Sequence, residues 1–201
     1  AGRCNGRRVF GMLDWFDANK GPVIQYGPHR TANYWDVMDA VVADGARAGQ
    51  ITEVCFWCDA QRICPDHSTR REWTRDFARF CREHPTVLPQ LTNEPKFNGW
   101  TEEDDPALLE LADLFRSEAP GIPFSLGDLL DDADHDTAEP LLSRWAMIAE
   151  HSDILVLHAV RREADDGRYR RWLDHLKGAS DVLGLVAQRI GRRMPYLCDE
   201  P

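Results

Sequence analysis

The order of segments in this sequence predicts a parallel α/β fold, a TIM-type (β/α) barrel that is incomplete at about six of its eight β/α units, running as a single domain over residues 1–201. Three observations lead there. Apolar runs of strand length alternate with amphipathic runs of helix length from one end of the chain to the other. Several of the strand-length runs, ITEVCFW and DILVLHAV among them, are apolar almost throughout, as strands covered on both faces are. Finally, the segment after the first run, DWFDANKGPVIQYGPHR, has neither the GxGxxG nor the GxxxxGK spacing that would mark a nucleotide-binding doubly wound sheet.

Taken in order, the strands are expected at Val9 to Leu13, Ile51 to Trp57, Thr86 to Leu91, Pro123 to Gly127, Asp153 to Val160 and Pro195 to Cys198. The helix NYWDVMDAVVADGARAG carries Trp35, Met38, Val41 and Val42 on one stripe and stops at Gly49, where a left-handed residue closes a helix cheaply. STRREWTRDFARFCREHP sets Trp73, Phe77 and Phe80 at helical spacing; it is expected to open on a Ser68 or Thr69 cap and to stop before Pro85. DPALLELADLFRSEAPG begins with a capping Asp105 and a first-turn Pro106. PLLSRWAMIAEHS and the stretch from Tyr169 to Ile190 complete the set, the latter expected to break at Gly178 and Gly184. Aromatics at these spacings read as core packing.

Composition narrows the function. A net charge of −10 repels a phosphate backbone, which argues against nucleic-acid binding. No run of about 18 apolar residues is present to span a membrane, and no charged-then-apolar leader opens the chain. Of the six cysteines, Cys55, Cys58 and Cys64 come nearest to zinc-ligand spacing, but the first two fall inside a strand and not on a turn, so buried free thiols are expected. No metal and no cofactor is implied.

Two strand ends carry the chemistry. TVLPQL runs into Asn93-Glu94-Pro95, which sets a carboxylate at the carboxyl end of a buried strand, the end at which barrel enzymes assemble their sites. Pro95 stops further pairing there. MPYLCDEP sets a second carboxylate, Glu200, after the last apolar run. Glu94 follows the third predicted strand and Glu200 the sixth, an offset of three that in an eight-stranded barrel puts them across one mouth. Facing carboxylates are the minimum equipment for glycoside hydrolysis: one held protonated as donor to the leaving oxygen, the other ionised to attack the sugar carbon.

The NEP strand end, followed about a hundred residues later by a strand-terminal Glu, resembles the clan of retaining (β/α)-barrel glycoside hydrolases that includes the cellulase-type family. The helix-then-strand unit YWDVMDAVVADGARAGQITEVCFW is similar to the same clan. The resemblance implies Glu94 as acid/base at the end of the fourth strand and Glu200 as nucleophile at the end of the seventh. The chain would then be an excerpt lacking the first and eighth strands. It further implies that Asn93 bonds the sugar's C2 hydroxyl, that Arg8 holds the nucleophile ionised and that His158 is the site histidine of the sixth strand. The substrate class is an oligo- or polysaccharide with β-linkages, and an extracellular location is favoured. Trp15, Trp57 and Trp100 stand where sugars could stack, and Asp14, Asp59 and Asp128 where sugar hydroxyls could be bound; core packing and loop capping are the competing readings.

The chain departs from the clan's pattern in two places. Cys58-Asp59-Ala60 replaces the histidine-bearing end of the third strand, and Val160 stands where an aromatic normally supports the nucleophile. A non-catalytic carbohydrate-binding or structural barrel is therefore the second reading. A metal-dependent hydrolase is the third, disfavoured by seven dispersed histidines without an HxH pair.

Overall fold

The computed structural model describes residues 6–17, 21–28, 31–58, 64, 66–93, 95, 100, 102–131, 139–159 and 183–200, and within these the side chains of 13–17, 21–25, 102, 130–131, 139–141, 158–159 and 198–200 are outside the description. The chain divides into two compact units, Ala1–Phe124 and Ser125–Pro201. Each is a parallel α/β unit.

The first unit contains β1 (Gly6–Phe10), β2 (Leu13–Asp17), β3 (Gly21–Tyr26), α1 (Tyr34–Arg47), β4 (Ile51–Trp57), α2 (His67–Glu83), β5 (Val87–Thr92) and α3 (Asp105–Glu118). β1, β4 and β5 form a parallel sheet in that order. Each strand joins its neighbour through a helix, and the order never reverses, as it would at the switch point of a doubly wound sheet. β2 and β3 form a separate antiparallel hairpin with an irregularity between Trp15 and Phe16.

β4 lies where the sequence predicts it, and every residue after Ile51 is buried. The first predicted strand is corrected. Val9 to Leu13 straddles the end of β1 and the start of β2, because the chain leaves the sheet at Gly11 and Met12. The Gly11 amide still donates to the Cys55 carbonyl at 2.7 Å, and a Cβ on Gly11 would sit 3.1 Å from the Phe56 ring. Only glycine passes easily that close to β4.

α1 buries Tyr34, Met38, Val42 and Gly45, one face at helical spacing. Gly45 is there for closeness: a Cβ would meet Thr52 Oγ1 at 2.6 Å and the Arg7 guanidinium at 2.8 Å. The helix ends as predicted at Gly49, whose φ is +70°. Gln50 donates to the Gly45 carbonyl at 2.9 Å and Gly49 to Ala46 at 3.0 Å, the paired bonds of a Schellman stop.

α2 is capped by Asp66 and not by Ser68 or Thr69. Its carboxylate accepts from the Thr69 amide at 2.8 Å and from the Ser68 and Thr69 hydroxyls at 2.7 Å each. The two predicted caps thus serve the real one. Those bonds, the Ser68 hydroxyl first, hold the Asp66 carboxyl down at about 2. α3 likewise begins one residue earlier than expected: Asp104 is its N-cap and Pro106 sits in the first turn.

Between sheet and helices lies an aromatic core. Phe56 of β4 stacks on Phe77 of α2 at 4.3 Å and 4°, Trp57 on Trp73 at 5.8 Å and 3°, and Phe115 of α3 meets Phe124 at 5.0 Å. Trp57 also donates to Thr74 Oγ1 at 3.2 Å, which satisfies its buried N–H.

The second unit contains β6 (Asp128–Asp131), α4 (Glu139–Glu150), β7 (Leu155–Ala159) and β8 (Tyr196–Glu200), with residues 183–190 also helical. β6, β7 and β8 form a parallel sheet in that order. The strand predicted at Pro123 to Gly127 is corrected to Asp128–Asp131: Phe124 and Leu126 are fully buried, but the ladder with β7 begins at Asp128. Gly184 lies inside the helical residues 183–190 and does not break them, while Gly178 is outside the described residues. Ser152 ties the unit together by donating to the Ile148 carbonyl at 2.7 Å and accepting from the Leu126 amide at 2.9 Å.

Cys55, Cys58, Cys64 and Cys81 are buried free thiols. Burial pushes the Cys81 thiol up. Among the described residues, no group of His, Cys, Asp or Glu is arranged to hold a metal ion, and no helix is long and apolar enough to cross a membrane.

Candidate active site

In the first unit the polar side chains of the parallel sheet converge. Side chains alternate across a strand. Arg7 and Thr52 are bonded to each other at 3.2 Å on the face that meets Gly45 of α1. Arg8 and Glu53, paired in register on β1 and β4, therefore lie on the opposite face. Glu53 is 4% exposed. A carboxylate so buried requires a partner, and Arg8 Nε stands 3.8 Å from its Oε1.

The guanidinium of Arg8 reaches on across β4. Its Nη2 donates to Gln90 Oε1 on β5 at 3.0 Å and to Asn93 Oδ1 at 2.7 Å. Gln90 is itself oriented by donating from Nε2 to the Thr92 carbonyl at 2.9 Å, which turns its Oε1 toward Arg8. Asn93 is fixed at its backbone too, its amide donating to the Trp57 carbonyl at 3.1 Å. The result is a connected network of Arg8, Glu53 and Gln90 inside three parallel strands, reaching Asn93 just past the carboxyl end of β5. Two of its members, Arg8 and Asn93, are predicted site residues. Glu53 and Gln90 went unsingled in the sequence, although a polar residue inside an otherwise apolar strand is itself a signal that something must satisfy it.

Glu94 follows Asn93 directly and lies outside the described residues, as does Asp59. Trp15 pairs with Ile24 in the hairpin and its side chain is outside the description. Trp100 is fully buried, with the Arg70 guanidinium 4.9 Å from its ring centre. Arg70 in turn donates to the Cys64 carbonyl at 2.6 Å. Trp57 is equally buried, so both fill the packing role that competes with sugar stacking.

In the second unit His158 and Glu200 are neighbours in register on β7 and β8. The ladder skips one residue to bring this about: Leu157 is opposite Cys198 and His158 opposite Glu200, so Asp199 is the extra residue. Irregularities of this kind re-aim a strand's residues and are common beside functional sites. Glu200 is the last residue of β8 and does not, as predicted, follow its strand. Asp128 opens β6 at its amino end and is buried, away from the strand end at which sugar-binding aspartates were expected.

No protein-family model and no curated protein sequence matches this chain. Solved structures do match its fold. A protein described as a glycoside hydrolase aligns over 96% of this chain and 44% of its own, with a TM-score of 0.56 and 11% identity. PbGH5A, a glycoside hydrolase family 5 enzyme from Prevotella bryantii B14, aligns over 96% of this chain and 60% of its own, with a TM-score of 0.54 and 12% identity. A β-mannanase from the blue mussel Mytilus edulis aligns over 96% and 75%, with a TM-score of 0.51 and 13% identity. At this identity the likeness is one of fold: the chain has a fold like that of family 5 glycoside hydrolases. It spans 44% and 60% of the first two proteins' lengths.

Proposed function

We propose that the protein to which this chain belongs is a retaining glycoside hydrolase acting on a β-linked oligo- or polysaccharide, built on a (β/α) barrel of which the chain supplies about six of eight units. The observation that carries this reading is the 2.7 Å bond from Arg8 to Asn93. It ties a cation inside β1 to the residue immediately before the proposed acid, just past the carboxyl end of β5. The fold shared with glycoside hydrolases, one of them a β-mannanase, supports the same reading.

In this mechanism Glu94 donates its proton to the glycosidic oxygen as the bond to the sugar carbon breaks. Glu200 attacks that carbon from the opposite face and forms a covalent glycosyl-enzyme. Glu94, now ionised, takes a proton from water, which displaces Glu200; two inversions leave the configuration unchanged. Asn93 donates to the C2 hydroxyl, His158 stands next to the nucleophile in the ladder, and Arg8 supplies the positive charge that favours ionised carboxylates nearby. Trp15, Trp100 and Asp59 are the proposed further substrate contacts, Trp100 only after its ring is uncovered.

The test is turnover of dinitrophenyl β-cellobioside and β-mannobioside, with proton NMR of the first-formed product. Release of the β-anomer is expected, and Glu94→Gln should lower turnover of unactivated glycan by about 10²–10⁴-fold. Release of the α-anomer overturns the retaining mechanism. Val160 in place of a supporting aromatic and the buried Trp100 favour a second reading, a non-catalytic sugar-binding barrel. Glycan binding without turnover, unchanged by Glu94→Gln, would establish that one instead.

A further inference from the structure

The mechanism makes no use of Glu53, yet a carboxylate buried in the middle of a strand needs a reason. Its surroundings supply one. Arg8 is long and flexible, and bonding to Asn93 alone would leave its guanidinium free to turn. Glu53 in register on β4 and Gln90 on β5 hold it from two further sides, at 3.8 Å and 3.0 Å. Gln90 is held in turn by the Thr92 carbonyl. Each restraint is therefore anchored on the sheet backbone, and the last link is the bond into Asn93 Oδ1.

That last link decides which end of the Asn93 amide faces where. An amide's oxygen accepts and its nitrogen donates. With Oδ1 committed to the guanidinium, Nδ2 points the other way. We propose that Glu53 is a positioning residue: it locks Arg8, and through Arg8 the Asn93 amide, so that the site presents a donor, and not an acceptor, to the C2 hydroxyl oxygen of the sugar. The role assigned to Asn93 rests on the glycosidase reading above; the locking of its amide by Glu53 does not. The predicted specificity is for sugars carrying an oxygen at C2, with discrimination against 2-deoxy sugars that depends on a residue never touching the substrate.

Two measurements separate these parts. Heteronuclear NMR of the side-chain amides, with Asn93 assigned by its loss in Asn93→Asp, reads the lock directly. The native Asn93 amide protons are expected to be resolved and slow to exchange, and Glu53→Gln, which keeps shape and removes charge, should shift them and speed exchange at least about tenfold, the scale of one lost hydrogen bond. Glu53→Asp should restore part of the native signature. If Glu53→Gln does not fold, Arg8→Lys replaces it: a lysine has one nitrogen where the arginine sets Nε toward Glu53 and Nη2 toward Gln90 and Asn93, and the same change is expected. Asn93 signals unmoved in a folded Glu53→Gln or Arg8→Lys chain overturn the proposal.

The second measurement compares kcat/KM for dinitrophenyl β-cellobioside and for the analogue lacking the C2 hydroxyl on the ring next to the leaving group. Glu53→Gln should shrink the native preference about tenfold or more; a merely structural role would slow both substrates in parallel and preserve the ratio, which also overturns it. Should the intact protein to which the chain belongs turn over no glycoside at all, the glycosidase reading falls while the amide signals still judge Glu53.

Discussion

The two units solve the same problem with different materials. Both are three parallel strands in simple order. In the first, the helix-facing core is aromatic, with Phe56 on Phe77 and Trp57 on Trp73, and the other face carries a buried ion pair with two amides bound to it. In the second, the buried set around β7 is mainly aliphatic, Leu155, Val156 and Leu157 with Ile148 of α4, and one hydroxyl, Ser152, makes the cross-links. The strand-end chemistry differs accordingly. In the first unit side-chain bonds from Arg8 reach Asn93, whereas in the second the residue skipped at Asp199 sets His158 opposite Glu200 in the ladder.

This contrast predicts unequal responses to mutation. The largest effect is expected at Phe77, fully buried between Phe56 and Phe115. Phe77→Ala should cost about 3–5 kcal/mol of stability, read by urea unfolding, with hydrogen-exchange protection lost first in β4 and α2. A cost below about 1 kcal/mol would mean the aromatic stack is not what holds the first unit. Next is Gly45→Ala, where the added methyl has Thr52 and Arg7 within 2.8 Å; overpacking of this kind costs about 1–3 kcal/mol. The tighter contact is with Thr52 of β4 at 2.6 Å, and only Arg7 is a long flexible side chain that can give way, so the larger Gly45→Val should be worse.

In the second unit, Ser152→Ala leaves the buried Leu126 amide without its acceptor and should cost about 1–3 kcal/mol. Protection is expected to fall at Leu126 before it falls in β7. The smallest effect is at Asp66. Its carboxyl is held at about 2 in the folded chain, below the ordinary 3.8, so its contribution is present above about pH 4 and lost as pH falls toward 2. Asp66→Ala should therefore be less stable than the native chain at neutral pH, with the gap closing in acid. A gap independent of pH would contradict the capping role.

How far the sequence alone reached follows the same division. β4 was predictable to the residue because both its faces are covered, and its apolar run says so. The hairpin β2–β3 was not, because VFGML reads as one strand: periodicity cannot reveal that the chain departs at Gly11 for reasons of close approach to Phe56. The strand at Asp128–Asp131 was displaced to Pro123 to Gly127 because Phe124 and Leu126 are buried without joining the ladder, and a buried Asp128 disguises the true start. At the site, Arg8 and Asn93 were chosen from sequence and stand bonded. Glu53 and Gln90 are not legible because they sit inside apolar runs, where nothing local shows that Glu53 is ion-paired and Gln90 hydrogen-bonded to Arg8. Their partners lie on other strands, and only register brings them into reach.

The most direct test of the two-carboxylate mechanism is a crystal structure of the protein with a bound sugar, measured between the carboxyl groups of Glu94 and Glu200. A separation of about 5–5.5 Å is expected for a retaining pair. Carboxyls more than about 8 Å apart, or turned to different surfaces, would contradict it.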